Sequence, residues 1–191
     1  MAVQSFMVPL GTPMPEFSLP SVDGAQVGSA DLTGGPAVLV MFLSNHCPYV
    51  RHLERELGQV VDECSRRDVA AVAICSNDTS THPDDAAAGL AEQARRAGFG
   101  FPYLVDESQQ VATAFRAACT PDFFLYDRAG RLAYRGEFDD ARPRSTAPVT
   151  GRTLRTALDA VLAGQPVPEP HPPSMGCGIK WRPGNEPVGS A

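Results

Sequence analysis

Two uninterrupted apolar runs constrain this chain more than any other feature. "PAVLVMFLS" covers 36–44 and "DVAAVAICS" covers 68–76. Both have strand length and neither alternates polar with apolar, as expected of strands covered on both faces. Between them, Val50, Leu53, Leu57, Val60, Val61 and Cys64 recur at helical spacing, with charged residues in the gaps. Buried strand, amphipathic helix and second buried strand form a βαβ unit, and so predict a parallel pair within a layered α/β fold.

The remaining segments extend that unit. "PEFSLPSVDGAQVGSADL" (15–32) turns at Asp23-Gly24 and predicts an N-terminal β-hairpin. "DDAAAGLAEQARRAG" (84–98) predicts a helix, acidic in its first turn, basic in its last and ended by Gly98. A short strand over 101–106 and a helix over 107–118 follow. "DFFLYDRAGRLAYRGEF" (122–138) reads as a second hairpin, its "EFDD" end and Arg142 as a solvated turn with Asp139 and Asp140. The helix predicted over 150–164 stops at Gly164. The expected architecture is a three-layer α/β fold with a mixed central sheet flanked by helices.

Composition changes after Gly164. Residues 165–191 contain seven prolines, so the first half of this stretch should be extended, polyproline-like chain. Ile179 and Trp181 do not suit a solvated tail. We therefore divide the chain into a domain over 1–164 and a Pro-rich C-terminal extension over 165–191 that docks on it.

A net charge of −6 with no basic stripe argues against nucleic acid. No apolar run approaches the roughly 20 residues of a membrane span. The N-terminal stretch lacks a basic region followed by an apolar core, so no secretory signal is read and a cytoplasmic location is expected. Five cysteines stand at 47, 64, 75, 119 and 177. None pair at C-x-x-C spacing, which argues against a zinc knuckle, and they do not form a disulfide framework. His46, Cys47 and His52 lack a further ligand nearby, so neither metal nor cofactor is expected.

Cys47 is the exceptional cysteine. A buried strand ends at Ser44 and a helix begins at Pro48, a residue favoured in the first helical turn. Cys47 thus falls at the helix cap, where free backbone N–H groups and the helix dipole favour a thiolate below the ordinary pKa of about 8.5. The carboxyl ends of parallel strands are also where open α/β sheets bind ligands. Asn45, His46, Pro48 and Tyr49 surround Cys47 in sequence. Asn77 and Asp78, in "CSND" at the end of the second parallel strand, should share the crevice. Cys64 and Cys75 fall on apolar element faces and read as core.

The layout resembles the thioredoxin-like superfamily. "GTPMPEFSLPSVDG" is similar to the opening of its peroxiredoxin-like, AhpC/TSA-related branch, "VLVMFLSNHCPYV" to the active-site strand, loop and helix, and "CTPDFFLYDRAGRLAYRGEF" to the cis-proline segment and last hairpin. "NHCPYV" combined with "GCGIKWRPGNEP" (176–187) resembles one group within that branch. The resemblance implies that Cys47 is the nucleophile and that Val50 replaces the usual second cysteine. Two-cysteine thioredoxin cycling is then impossible. Ser44 fits the peroxiredoxin loop, but Val40 stands where that loop has proline. Pro121 lies near the place of the usual arginine, with Arg116 not far off, and Met41 replaces the buried acid of thioredoxins.

A lone thiolate needs a second thiol to release its mixed disulfide. The resemblance offers Cys119, on the rim beside Thr120 and the expected cis-proline Pro121, or Cys177, as in two-cysteine peroxiredoxins, and an external thiol is the third route. The function implied is a thiol–disulfide oxidoreductase. Alternatives are a thiol peroxidase or antioxidant protein, and a redox-inactive binding module. The expected partners are a thiol or disulfide protein or small-thiol substrate and an unidentified reductant, with the chain a monomer or homodimer.

Overall fold

Every residue of the strand Ala37–Phe42 is buried. Its side chains alternate between two cores. Ala37, Leu39 and Met41 pack on one face with Leu53, Leu57, Phe123 and Leu158, while Val38, Val40 and Phe42 pack on the other with Phe115, Phe124 and Tyr126. A strand with a core on each side cannot place a polar residue on either, which explains the uninterrupted apolar run.

The computed structural model describes residues 2–187. In chain order it comprises β1 (Ala2–Gln4), β2 (Ser18–Pro20), β3 (Gln26–Gly28), β4 (Ala37–Phe42), α1 (Pro48–Ser65), β5 (Ala70–Cys75), α2 (Ala87–Ala97), β6 (Tyr103–Val105), α3 (Gln110–Phe115), β7 (Cys119–Thr120), β8 (Asp122–Asp127), β9 (Leu132–Gly136), α4 (Arg152–Leu162) and β10 (Met175–Gly178). The central sheet has the order β6-β5-β4-β8-β9. β5 is parallel to both β4 and β6, whereas β8 is antiparallel to β4 and β9. The mixed sheet, the flanking helices, the N-terminal hairpin of β2 and β3 and the docked extension agree with the expected architecture.

The differences are local and have physical causes. The helix expected from residue 84 begins at Ala87, because Ala86 is extended (φ −65°, ψ 157°) and Pro83–Asp85 forms a separate 3₁₀ turn. It ends as predicted at Gly98, whose φ of 70° is left-handed. The helix expected over 107–118 is only Gln110–Phe115, since Gln109 and Arg116 at its two ends are both left-handed. Asp139 is buried rather than solvated. Its carboxylate accepts the backbone N–H groups of Thr150 (2.7 Å) and Gly151 (2.8 Å) at the entry to α4. Arg142 pairs with Glu137, and only Asp140 of the three matches the exposed-turn reading.

A second sheet was not visible in the sequence. β10 lies between β1 and β7, antiparallel to both. Ala2 faces Cys177 on one side, and Cys177 faces Thr120 on the other. The extension then runs on through Ile179, which is 6% exposed and joins the second core with Trp181 packed against that core. It crosses the loops after β5 and β6. The Lys180 N–H donates to Asn77 Oδ1 (2.8 Å), the Asp78 N–H donates to the Lys180 carbonyl (2.8 Å), and Gln109 Nε2 donates to the same carbonyl (2.8 Å). Gln109 Oε1 accepts the Arg182 N–H at 2.8 Å.

Candidate active site

Cys47 is the N-cap of α1, with Pro48 opening the helix. The amphipathic pattern places α1 on the sheet by burying Val50, Leu53, Leu57, Val60, Val61 and Cys64, and this aims the first turn at the carboxyl end of β4. Cys47 itself is fully buried. Its thiol donates to the carbonyl of Thr120 at 3.1 Å, and the Thr120–Pro121 bond is cis.

Cys177 lies directly against this nucleophile candidate. It is half-buried, and its thiol is pushed up to about 11 by burial and then by its hydrogen bond and charge interaction with Cys47, with Lys180 pulling the other way. Gly176 makes the approach possible. A Cβ there would stand 2.0 Å from the Thr120 carbonyl oxygen and 2.6 Å from its carbon, so only glycine lets β10 lie this close to the cis-peptide.

Cys119 is also near, but it is fully buried. Its thiol is driven well above the ordinary range by burial, by the Asp122 carboxyl and by Cys47 and Cys177. It donates a long hydrogen bond of 3.5 Å to the Pro121 carbonyl. Cys64 and Cys75 are buried in the first core. Burial pushes Cys64 up to about 11 and Cys75 higher still.

The remaining candidate residues separate into two groups. Tyr49 and Pro121 line a cavity of about 20 Å³ beside Phe123, Phe138 and Met175, roughly the room of one water. Pro48 is exposed in the first turn of α1. Asn45, Asn77 and Asp78 are instead occupied by the protein itself. Asn45 Nδ2 donates to the carbonyls of Asp84 and Gly89, both at 3.0 Å. Asn77 and Asp78 hold Lys180 of the extension. His46 stacks on His82 with ring centroids 4.5 Å apart. His52 Nε2 is buried without a hydrogen-bond partner among the described residues, and Arg116 is exposed at the end of α3.

Two acids escaped the sequence reading. Asp85 is fully buried and gathers the loop before Cys47. Asp122, the residue after the cis-proline, is also fully buried. It accepts Ser5 Oγ at 2.7 Å and the Ala118 N–H at 3.2 Å, yet burial raises its carboxyl to about 6. Asp85 looked like an acid favoured in a first helical turn. Asp122 looked like the polar start of a strand. Among the described residues no group of three or more His, Cys, Asp or Glu could hold a metal ion, and no helix is long and apolar enough to cross a membrane.

Comparison with known proteins agrees with the fold. A crystal structure of an uncharacterized conserved protein from Geobacillus kaustophilus is 47% identical, covers 96% of this chain and 97% of its own, and has a TM-score of 0.93. A hypothetical protein from Sinorhizobium meliloti is 46% identical over 95% of this chain and 99% of its own, also at 0.93. A thioredoxin-family thiol:disulfide interchange protein from Chlorobium tepidum shares the fold, with TM-score 0.62 and 20% identity, covering 81% of this chain and 98% of that one. No curated protein matches. A sequence model of the AhpC/TSA family matches residues 10–135, most of the chain and all of its central sheet but the last residue of β9, and the protein therefore belongs to the AhpC/TSA family, with a thioredoxin-like fold.

Proposed function

We propose that the protein is a thiol–disulfide oxidoreductase in which Cys47 is the nucleophile and Cys177 the resolving thiol. The observation that carries this reading is that both cysteines meet at Thr120: the Cys47 thiol donates to its carbonyl at 3.1 Å, and Cys177 is its partner across β10 and β7, brought in by the close approach at Gly176. Cys119 is less suited to the resolving role, because it is fully buried and its thiolate is strongly disfavoured.

The Cys47 thiolate attacks one sulfur of a substrate disulfide. A Cys47–substrate bond forms, the substrate S–S bond breaks, and the departing sulfur takes up a proton. Cys177 then gives up its proton and attacks the Cys47 sulfur. This forms Cys47–Cys177 and releases the second substrate thiol. Two electrons pass to the substrate, and an external dithiol or two small thiols restore the pair. Cys47 is covered by Thr120 and Cys177, so β10 must yield for a protein disulfide to enter.

Mild oxidation with glutathione disulfide, followed by peptide mapping, tests the assignment. A Cys47–Cys177 bond is expected, and Cys47→Ser should abolish disulfide reduction altogether. Recovery of Cys47–Cys119, or of Cys47 free of either partner, overturns it. Stopped-flow peroxide consumption on the same samples separates a peroxidase from a reductase.

A further inference from the structure

Asp85 is remote in sequence from both proposed redox thiols, yet its carboxylate touches the loop before Cys47 directly and reaches the extension that carries Cys177 through one side chain, Asn77. It sits at the end of the Pro83–Asp85 turn with no exposed surface. The first set of contacts is to the three residues immediately before Cys47. Oδ1 accepts the Asn45 N–H at 2.7 Å and the His46 N–H at 3.2 Å. Ser44 Oγ reaches both oxygens, at 3.1 and 2.9 Å, and His46 Nδ1 lies 2.7 Å from Oδ2. Gln93 Nε2 adds a long contact of 3.4 Å to the Ser44 carbonyl.

The second set leads to the extension. Asn77 Nδ2 donates to Asp85 Oδ2 at 2.7 Å, and Asn77 Oδ1 accepts the Lys180 N–H at 2.8 Å. An amide side chain can do both at once, because its nitrogen only donates and its oxygen only accepts. The path from the Cys47 loop to the strand holding Cys177 thus runs Ser44-Asn45-His46, Asp85, Asn77, Lys180. All of it but the His46 and Lys180 ends is buried.

We propose that Asp85 is a positioning residue that sets the alignment of Cys47 with Cys177. This rests on the exchange reading above. Attack of one sulfur on another is sensitive to ångström-scale displacement, and the Asp85–Asn77 pair links the segments that carry the two cysteines away from the thiols themselves. A carboxylate is the group that fits, because it accepts at both oxygens. An amide in its place would turn its NH₂ either toward the Asn45 and His46 backbone N–H groups or toward Asn77 Nδ2, all of which can only donate.

The equilibrium constant for forming the Cys47–Cys177 disulfide in glutathione buffers measures that alignment directly. Asp85→Asn should lower it at least tenfold, equivalent to about 30 mV, and speed alkylation of Cys177. Asn77→Ala should lower it in the same direction while leaving the Ser44–His46 contacts in place. A purely structural role predicts a lower melting temperature with the constant unchanged. A value within twofold of wild type in the folded Asp85→Asn protein overturns the proposal, and should that variant not fold, the same result for Asn77→Ala does so. Wild type that forms no Cys47–Cys177 disulfide overturns the exchange reading itself.

Discussion

Gly176 and Gly178 flank the same cysteine but meet different surroundings. A Cβ at 176 would strike the backbone of Thr120 at 2.0 Å, while one at 178 would touch Val3 at an ordinary 3.6 Å. Backbone cannot swing aside as a side chain can. Gly176→Ala should therefore lift β10 from β7, cost about 1–3 kcal/mol as overpacking does, and raise the alkylation rate of Cys177 at least tenfold. Gly178→Ala should leave that rate within about twofold of wild type, and equal effects of the two variants would remove the close-approach argument. At this scale the sequence was legible where chemistry is local. Cys47 at a helix start followed from Pro48 and the apolar strand before it. Asp85 was not legible, since an acid near a helix N-terminus ordinarily faces solvent and the dipole. Here Pro83 and the extended Ala86 turn it inward, and only the tertiary fold supplies its donors.

The elements were legible in proportion to how much apolar surface each buries. β4, β5 and α1 announce themselves because a two-sided core or a helical stripe leaves a periodic trace. β1, β7 and β10 have three, two and four residues, too few for a period, and their pairing is decided by partners distant in sequence. Docking of the extension was readable only through Ile179 and Trp181. Ile179→Ala should destabilise this segment by about 2–4 kcal/mol. Hydrogen exchange should then quicken at Ile179, Lys180 and Arg182 while the amides of β4 and β8 keep their protection. Uniform loss of protection across the central sheet would show instead that the extension unfolds only with the whole domain.

At the scale of the molecule, Asp122 ties the two sheets together. It opens β8 opposite Phe42 of β4 and receives Ser5 just beyond β1 and Ala118 just before β7. Burial is the largest influence on it and raises its carboxyl from 3.8 to about 6. The folded protein therefore holds a proton that the unfolded chain has released between those values. Stability from this group is greatest at low pH and declines as pH rises from about 4 to 6, to a loss of about 3 kcal/mol above that range. Asp122→Asn should remove that decline. It should melt several degrees higher than wild type at pH 8 and converge with it near pH 4, as followed by thermal unfolding across pH. A difference that is independent of pH would sink this account.

β10 is also the last regular element of the described chain, and it completes the cover over a residue made far earlier. During synthesis the central sheet can assemble while Met175–Gly178 is still to come. In that interval Cys47 has neither Cys177 near it nor a strand across Thr120. The order of translation thus leaves the proposed nucleophile without its proposed partner until β10 has been made.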